Sequence, residues 1–340
     1  MASTADNTAR SERAARRAAR QARHPVDPAP VLFVGGTGRS GTHIVSRLLA
    51  RSEHYALVPI ECRFHVDADG FPGLLAGDVS KGRFIRRLRG FWWRGFQTNR
   101  MRGLHRFVER DRFDAAVQAF DERFDAEPEA ACRGLFFDLL WPVTAHGDGP
   151  PAQAIVEQSC DSIKQGATLV RLFPEARFVH VVRDGRDASA SRVAQTKGPV
   201  YPRTRTQGLE WWEERIRAID QGARAIPNDR FREVELGQLL VRGTRRQALR
   251  RLARFSGVPP QPRMRRLMRR QMSPGSANAE RWRAGLSERD QERIDGLYRA
   301  ALERLERDGI TSAPLLRAAY ERTEAGGEGS QPEVSPPGTI

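Results

Sequence analysis

Apolar residues in this chain fall into short unbroken runs separated by stretches of helical period. The first run is 31–34, Val-Leu-Phe-Val with no polar interruption, the pattern of a strand buried on both faces of a parallel sheet. After a glycine-rich turn, Ile44, Val45, Leu48 and Leu49 recur at helical spacing, so the local order is strand, loop, helix. Residues 54–60 read as a second strand ending at Glu61, and 153–156, 178–182 and 231–236 as three more. Helical period covers 163–173, 207–225 with Trp211 and Trp212, and 287–308, where Ser287 and Asp290 form an S-x-x-D cap. Residues 81–112 crowd arginines around Phe91, Trp92, Trp93 and Phe96, and 114–140 continues in helical style. Strands alternating with helices over short joins predict an α/β fold with a central parallel sheet and helices on both faces. In such sheets ligands bind beyond the carboxyl ends of the strands. The glycine loop, Glu61, Glu157 and Arg183 all follow an expected strand.

Composition refines this picture. At 340 residues the chain has room for one large domain with tails. Residues 1–28 read as a disordered basic tail, 29–320 as the domain with a helical insertion at 81–140, and 321–340, rich in Gly, Glu, Ser and Pro, as a disordered tail. A formal charge of +15 calls for an anionic partner. Cys62, Cys132 and Cys160 form no C-x-x-C pair and are odd in number, which supports neither a disulfide framework nor a metal site. A cytoplasmic setting fits that usage. No apolar run is long enough for a membrane span, and the Arg-rich N-terminus lacks the apolar stretch of a secretory signal.

The loop Gly36-Thr37-Gly38-Arg39-Ser40-Gly41 satisfies the dinucleotide pattern G-x-G-x-x-G and has the glycine spacing of a P-loop. Thr42 and His43 stand where a nucleoside triphosphatase has its Lys and Ser/Thr, so the devices for β/γ-phosphate and Mg²⁺ are missing. Glu61 stands near the ribose-binding distance of the dinucleotide reading, whereas Arg39 puts an unneeded cation in a turn that should hold pyrophosphate by backbone alone. A second motif follows the 178–182 strand: Arg183-Asp184-Gly185-Arg186-Asp187-Ala188-Ser189-Ala190-Ser191. Its guanidinium and hydroxyl, eight residues apart, suit a phosphate monoester. The competing reading is a surface Arg paired with Asp184 or Asp187.

Together the two motifs resemble the PAPS-dependent sulfotransferase family over about residues 31–310. Gly38 to Thr42 is similar to its 5′-phosphosulfate loop, and Phe173 through Ser191 to its 3′-phosphate segment. Arg281-Trp282-Arg283-Ala284-Gly285-Leu286-Ser287 more loosely resembles its C-terminal Trp-containing stretch. The resemblance implies a three-layer α/β/α, P-loop NTPase-like fold with 81–140 as an acceptor-side insertion. It implies PAPS (3′-phosphoadenylyl sulfate) as co-substrate, no metal, and a hydroxylated small-molecule or carbohydrate acceptor. Gly38, Arg39, Ser40, Gly41, Thr42 and His43 would hold the 5′ end of the donor, with Arg39 on the bridging oxygen. Arg183 and Ser191 would clamp the 3′-phosphate, with Arg281 and Trp282 beside them. Glu61 is the candidate general base, with His43 and His65 as lesser candidates. Where many relatives have Glu-Lys-Thr-Pro this chain has Glu157-Gln158-Ser159-Cys160, so either Lys164 substitutes for the missing Lys or Arg39 acts alone. Two other classes compete: a P-loop nucleotide kinase or other nucleotide-dependent transferase, and a basic nucleic-acid or acidic-surface binder using 81–112 and 242–270. The second lacks any recognition-module signature, so nucleic acid is not the expected partner.

Overall fold

The computed structural model describes residues 30–95, 103–141, 153–195, 201–276 and 279–327. Five parallel strands, β1 (Val31–Gly36), β2 (Tyr55–Leu57), β3 (Ala154–Glu157), β4 (Arg177–Val182) and β5 (Phe231–Glu235), form one sheet in the order β2-β3-β1-β4-β5. β1 is central and buried throughout. Its alternation feeds two cores: Val31 and Phe33 enter an aromatic-rich cluster on one face, Leu32 and Val34 an aliphatic cluster on the other. That double burial is why the run carries no polar residue.

Helices cover both faces. α1 (Thr42–Leu49) follows β1. α2 (Phe71–Ala76), α3 (Lys81–Arg87), α4 (Arg110–Phe124) and α5 (Pro128–Leu140) pack Phe71, Phe84, Phe113, Phe120 and Phe136 into the same cluster as Phe33. The 81–140 segment therefore shares its core with the sheet. α6 (Gly166–Leu172) leads to β4, and α7 (Gly185–Gln195) and α8 (Arg205–Ala223) follow it. α9 (Leu236–Leu240), α10 (Arg245–Phe255) and α11 (Pro262–Gln271) cover the aliphatic face with α1. α12 (Glu288–Arg307) and α13 (Ala313–Gly327) close a third cluster with α7 and α8. The three-layer α/β/α expectation is met.

Three expectations move. β2 spans three residues, not seven: Val58 still donates to Val156 O at 2.9 Å, but Pro59 brings no N–H to continue the ladder. Glu61 therefore lies on irregular chain beyond the strand. The helix expected from 163 begins at Gly166, because Cys160–Ser162 forms a tight 3₁₀ turn first. The tail expected from 321 is helical to Gly327: Arg322 pairs with Glu235 at 2.6 Å and Glu324 with Arg186 at 3.0 Å. Residues 1–28 and 328–340 lie outside the described residues, as does Phe96.

Candidate functional site

The carboxyl edge of the sheet gathers the glycine loop from β1, the Arg183 turn from β4 and the segment after β2. Gly36 ends β1 because a Cβ there would lie 2.3 Å from Ser40 Oγ and 2.7 Å from Val181 O. The chain then passes through left-handed conformations at Gly38, Arg39 and Gly41, with φ of 80°, 61° and 96°, a turn that points successive N–H groups inward. Among the described residues no main-chain N–H from Gly38 to His43 meets a protein acceptor. Ser40 Oγ is likewise buried and unpartnered. α1 begins here with no acidic residue in its first turn, so its dipole adds positive potential to the same point. Unengaged donors at a helix N-terminus, with the buried Ser40 among them, fit an anion.

Arg39 and Arg183 meet. Arg183 Nη1 donates to Arg39 O at 2.9 Å, and Arg39 Nε donates to Ser191 Oγ at 3.0 Å. Burial, then the Arg183 and Arg192 guanidiniums, lower the Arg39 pKa from its usual range, while Glu61 opposes this. A concentration of like charge at this level calls for an anion to relieve it. Arg183 also lies 3.7 Å from Asp187, the partner named by its competing sequence reading. That carboxylate is more than a surface counter-ion. It accepts from Glu280 N at 2.9 Å and Trp282 N at 3.2 Å, pinning the Arg281–Arg283 turn against α7. Glu280 takes φ 61° to make that contact. Burial and then Asp184 push the Asp187 pKa up to about 6, with Arg183 and both N–H donors opposing.

Trp282 is buried in that turn, and Arg281 is exposed. Beneath them Arg186, fully buried, pairs with Asp184, Asp295 and Glu324 and lies under the rings of Trp282, Tyr298 and Tyr320 at 4.7, 5.1 and 4.9 Å. From the sequence Asp187 was only a surface counter-ion and Arg186 had no role; the signal for both was the second Arg-Asp pair within the same motif. A cavity of about 410 Å³ opens beside Arg183, walled by Leu236, Val241, Trp282, Ala319 and Thr323.

On the other side lies Glu61. Burial raises its pKa to about 6; Arg63 and Arg39 pull against this, and Glu157 and Asp161 add to it. Arg63, itself at φ 60°, approaches Glu61 at 3.6 Å, Asp67 at 2.6 Å and Asp161 at 3.1 Å. Arg215 closes on Asp161 from α8. Asp161 and Arg215 were not expected from sequence; Asp161 adjoins Glu157-Gln158-Ser159-Cys160, and Arg215 hides in an ordinary amphipathic helix. Glu157 ends β3 fully buried, 3.1 Å from His65 Nε2 and bonded by Ser159 and Ser162. Burial opposes its ionisation, yet His65 and these donors hold its pKa below the usual range. His65 is thus an interior partner of Glu157, with no exposed face. Gln158 is buried and donates to Val58 O at 2.8 Å, away from the crevice. Lys164 is exposed, and the cations paired with Asp161 are Arg63 and Arg215. His43 is largely exposed; its partial burial, then Arg47 and Arg39, lower its pKa.

The sequence matches the model of the sulfotransferase family over residues 30–262. Among curated proteins it is 22% identical over 234 residues to a protein-tyrosine sulfotransferase of Drosophila melanogaster, covering 68% of this chain and 38% of that protein. It is 26% identical over 168 residues to protein-tyrosine sulfotransferase 1 of Mus musculus, covering 49% and 34%. The match thus spans little more than a third of those relatives. Among solved structures, the sulfotransferase domain of the Synechococcus PCC 7002 olefin synthase aligns with TM-score 0.44 and 17% identity over 82% of this chain and 96% of that one. Sulfotransferase STF9 from Mycobacterium avium aligns with TM-score 0.40 and 14% identity over 83% and 78%. On the family match, which covers most of the chain, the protein belongs to the sulfotransferase family.

Proposed function

We propose that this sulfotransferase transfers the sulfonate of PAPS to a hydroxyl of a carbohydrate or small-molecule acceptor, with Glu61 as general base. What carries the reading is the contact between Arg183 and Arg39 O, which joins the row of unengaged loop N–H groups to a guanidinium and alcohol clamp. The N–H groups from Gly38 to His43 receive the 5′-phosphosulfate. Arg183 and Ser191 receive the 3′-phosphate: Ser191 Oγ accepts from Arg39 Nε and keeps its own hydrogen to donate. The adjoining cavity takes the adenine, with the pinned 281–283 turn as one wall.

In the transfer, the acceptor oxygen attacks sulfur, its proton passes to a Glu61 oxygen, and the bond from sulfur to the bridging oxygen breaks. The charge left on the departing phosphate falls to Arg39 and the loop amides. A carboxylate with a pKa of about 6 is mostly ionised at neutral pH yet more basic than an ordinary one, as general-base catalysis favours. Arg63 holds it by ion pairing, without the Lys of relatives. Arg39 alone supplies the cation at the bridging oxygen in this scheme, and Lys164 has no part in it.

Calorimetric titration tests the clamp. Removing a charge-assisted bond costs about 1.5–3 kcal/mol, so Arg183→Ala should weaken adenosine 3′,5′-bisphosphate roughly 10- to 150-fold. Adenosine 5′-phosphosulfate, which lacks the 3′-phosphate, should lose little. Equal losses for both ligands would refute the assignment of Arg183.

A further inference from the structure

The two arginine-rich stretches look alike in sequence and diverge in the fold. In 81–112 the cations meet acids: Lys81 pairs with Asp121 and Asp125, Arg83 and Arg87 with Asp69, and Arg89 and Arg110 with Asp114. Eleven arginines lie between Arg242 and Arg270 with no Asp or Glu among them, against a net charge of +15 for the whole chain. None of the eleven forms an ion pair among the described residues, and all but Arg245 are exposed. Arg265 bonds a neighbouring carbonyl, that of Pro260.

The fold directs these charges outward on one side. α10 buries Ala248, Leu249 and Leu252, and α11 buries Met264, Leu267 and Met268, all in the aliphatic cluster on the sheet. Both arginine faces therefore look away from the same sheet face. Arg246, Arg250 and Arg254 repeat at intervals of four on α10, as do Arg265 and Arg269, and Arg266 and Arg270, on α11. Like charges at that spacing destabilise a helix, so the layer works against the fold that carries it until an external polyanion neutralises it.

Surface shape selects the polyanion. Each helix is about 15 Å long, and both rest on the same aliphatic cluster. Phe255, the aromatic within it, is half-buried with Arg232 over its ring at 5.5 Å, which leaves no open platform for stacking unpaired bases. A plane of headgroups can meet the arginines of both helices at once, because both helices rest on one face of the sheet. Val241, 50% exposed and next to Arg242, lies where the arginine face meets the cavity beside Arg183. We propose that the arginine face of α10 and α11 adsorbs the protein to an anionic lipid bilayer. This proposal does not depend on the donor or acceptor of the transfer reaction.

Co-sedimentation of the full chain with phosphatidylcholine vesicles, with and without phosphatidylserine, tests it. Binding is expected only with phosphatidylserine and should fall steeply as salt rises above about 0.1 M. Replacing Arg246, Arg250 and Arg254 together by Gln should weaken binding on the order of 100-fold, from the per-arginine attraction to anionic leaflets. Replacing Arg289, Arg293 and Arg299 on α12 removes equal charge from exposed positions elsewhere and should change binding far less. Equal sedimentation with neutral vesicles, or equal loss in both triple variants, would overturn the proposal. So would binding to duplex DNA at physiological salt without binding to anionic vesicles, which would assign the layer to nucleic acid.

Discussion

Glu61→Gln separates a catalytic base from a surface ion pair, because the two roles predict opposite changes in activity and stability. The Glu61 pKa is raised from 4.5 to about 6, a shift equivalent to about 2 kcal/mol. The direction penalises the folded state when the carboxyl is ionised. Below pH 4.5 the carboxyl is protonated in both folded and unfolded chain and costs nothing. Stability falls as pH rises through the interval between 4.5 and about 6, and the full cost persists at neutral pH. Gln keeps the shape without the charge. At pH 7 the variant should gain up to about 2 kcal/mol, or roughly 3 °C in Tm, given about 2.1 cal/mol/K of unfolding entropy per residue. At pH 4 the gain should vanish. Turnover should fall by about 10²–10⁴ while affinity for adenosine 3′,5′-bisphosphate stays level. In the wild type a base of pKa 6 is about 90% ionised at pH 7 and about 10% at pH 5. kcat/KM should therefore drop roughly tenfold between these pH values, against less than about 1.5-fold for a carboxylate at its ordinary pKa. Scanning calorimetry and initial rates against pH, with a donor and any acceptor the enzyme turns over, measure both. A variant that melts lower at pH 7, or retains most of its turnover, refutes the assignment.

Other expectations are equally concrete. Gly36→Ala should displace the loop, because the backbone oxygen of Val181 would be 2.7 Å from the new carbon. Adenosine 3′,5′-bisphosphate affinity should fall more than about tenfold, by calorimetry, together with a lower Tm. Arg186→Ala strands three carboxylates around a fully buried position and should destabilise the chain by about 3–5 kcal/mol in urea titrations. Chelation with EDTA should leave the sulfonate transfer rate unchanged, since the proposed scheme relies on Arg39 and the loop amides for charge; a rate restored only by added Mg²⁺ would count against it.

The readable parts of the sequence were those where a local pattern and the tertiary environment agree. β1 was legible because burial on both faces demands an unbroken apolar run. The contact between Arg39 and Arg183 followed from two motifs, each at a strand end in a parallel sheet. Glu61 was legible as a residue near the loop but not in its setting, since β2 stops at Leu57 and Glu61 is placed by Arg63, whose own geometry depends on Asp67 and Asp161. Such long-range ion pairing leaves no periodic trace. The same limitation hid Arg186: its partners Asp295 and Glu324 lie more than a hundred residues away. It also hid the helical character of 321–327, where Glu and Gly suggested a tail and the pairing of Arg322 with Glu235 and of Glu324 with Arg186 decided otherwise. Composition likewise did not distinguish the two arginine-rich stretches, because the acids that neutralise 81–112 approach partly from other helices.

The family match stops at residue 262, whereas Trp282, Ala319 and Thr323, which enclose the cavity beside Arg183, come later in the chain. A fragment cut at that boundary would keep the glycine loop and the Arg183 turn but lose Trp282, Ala319 and Thr323 from the cavity wall. During synthesis that wall would likewise stay incomplete until α13 has emerged. Fusion partners attached after α13 would sit within reach of that enclosure, so the position of an affinity tag is itself a variable in any donor-binding measurement.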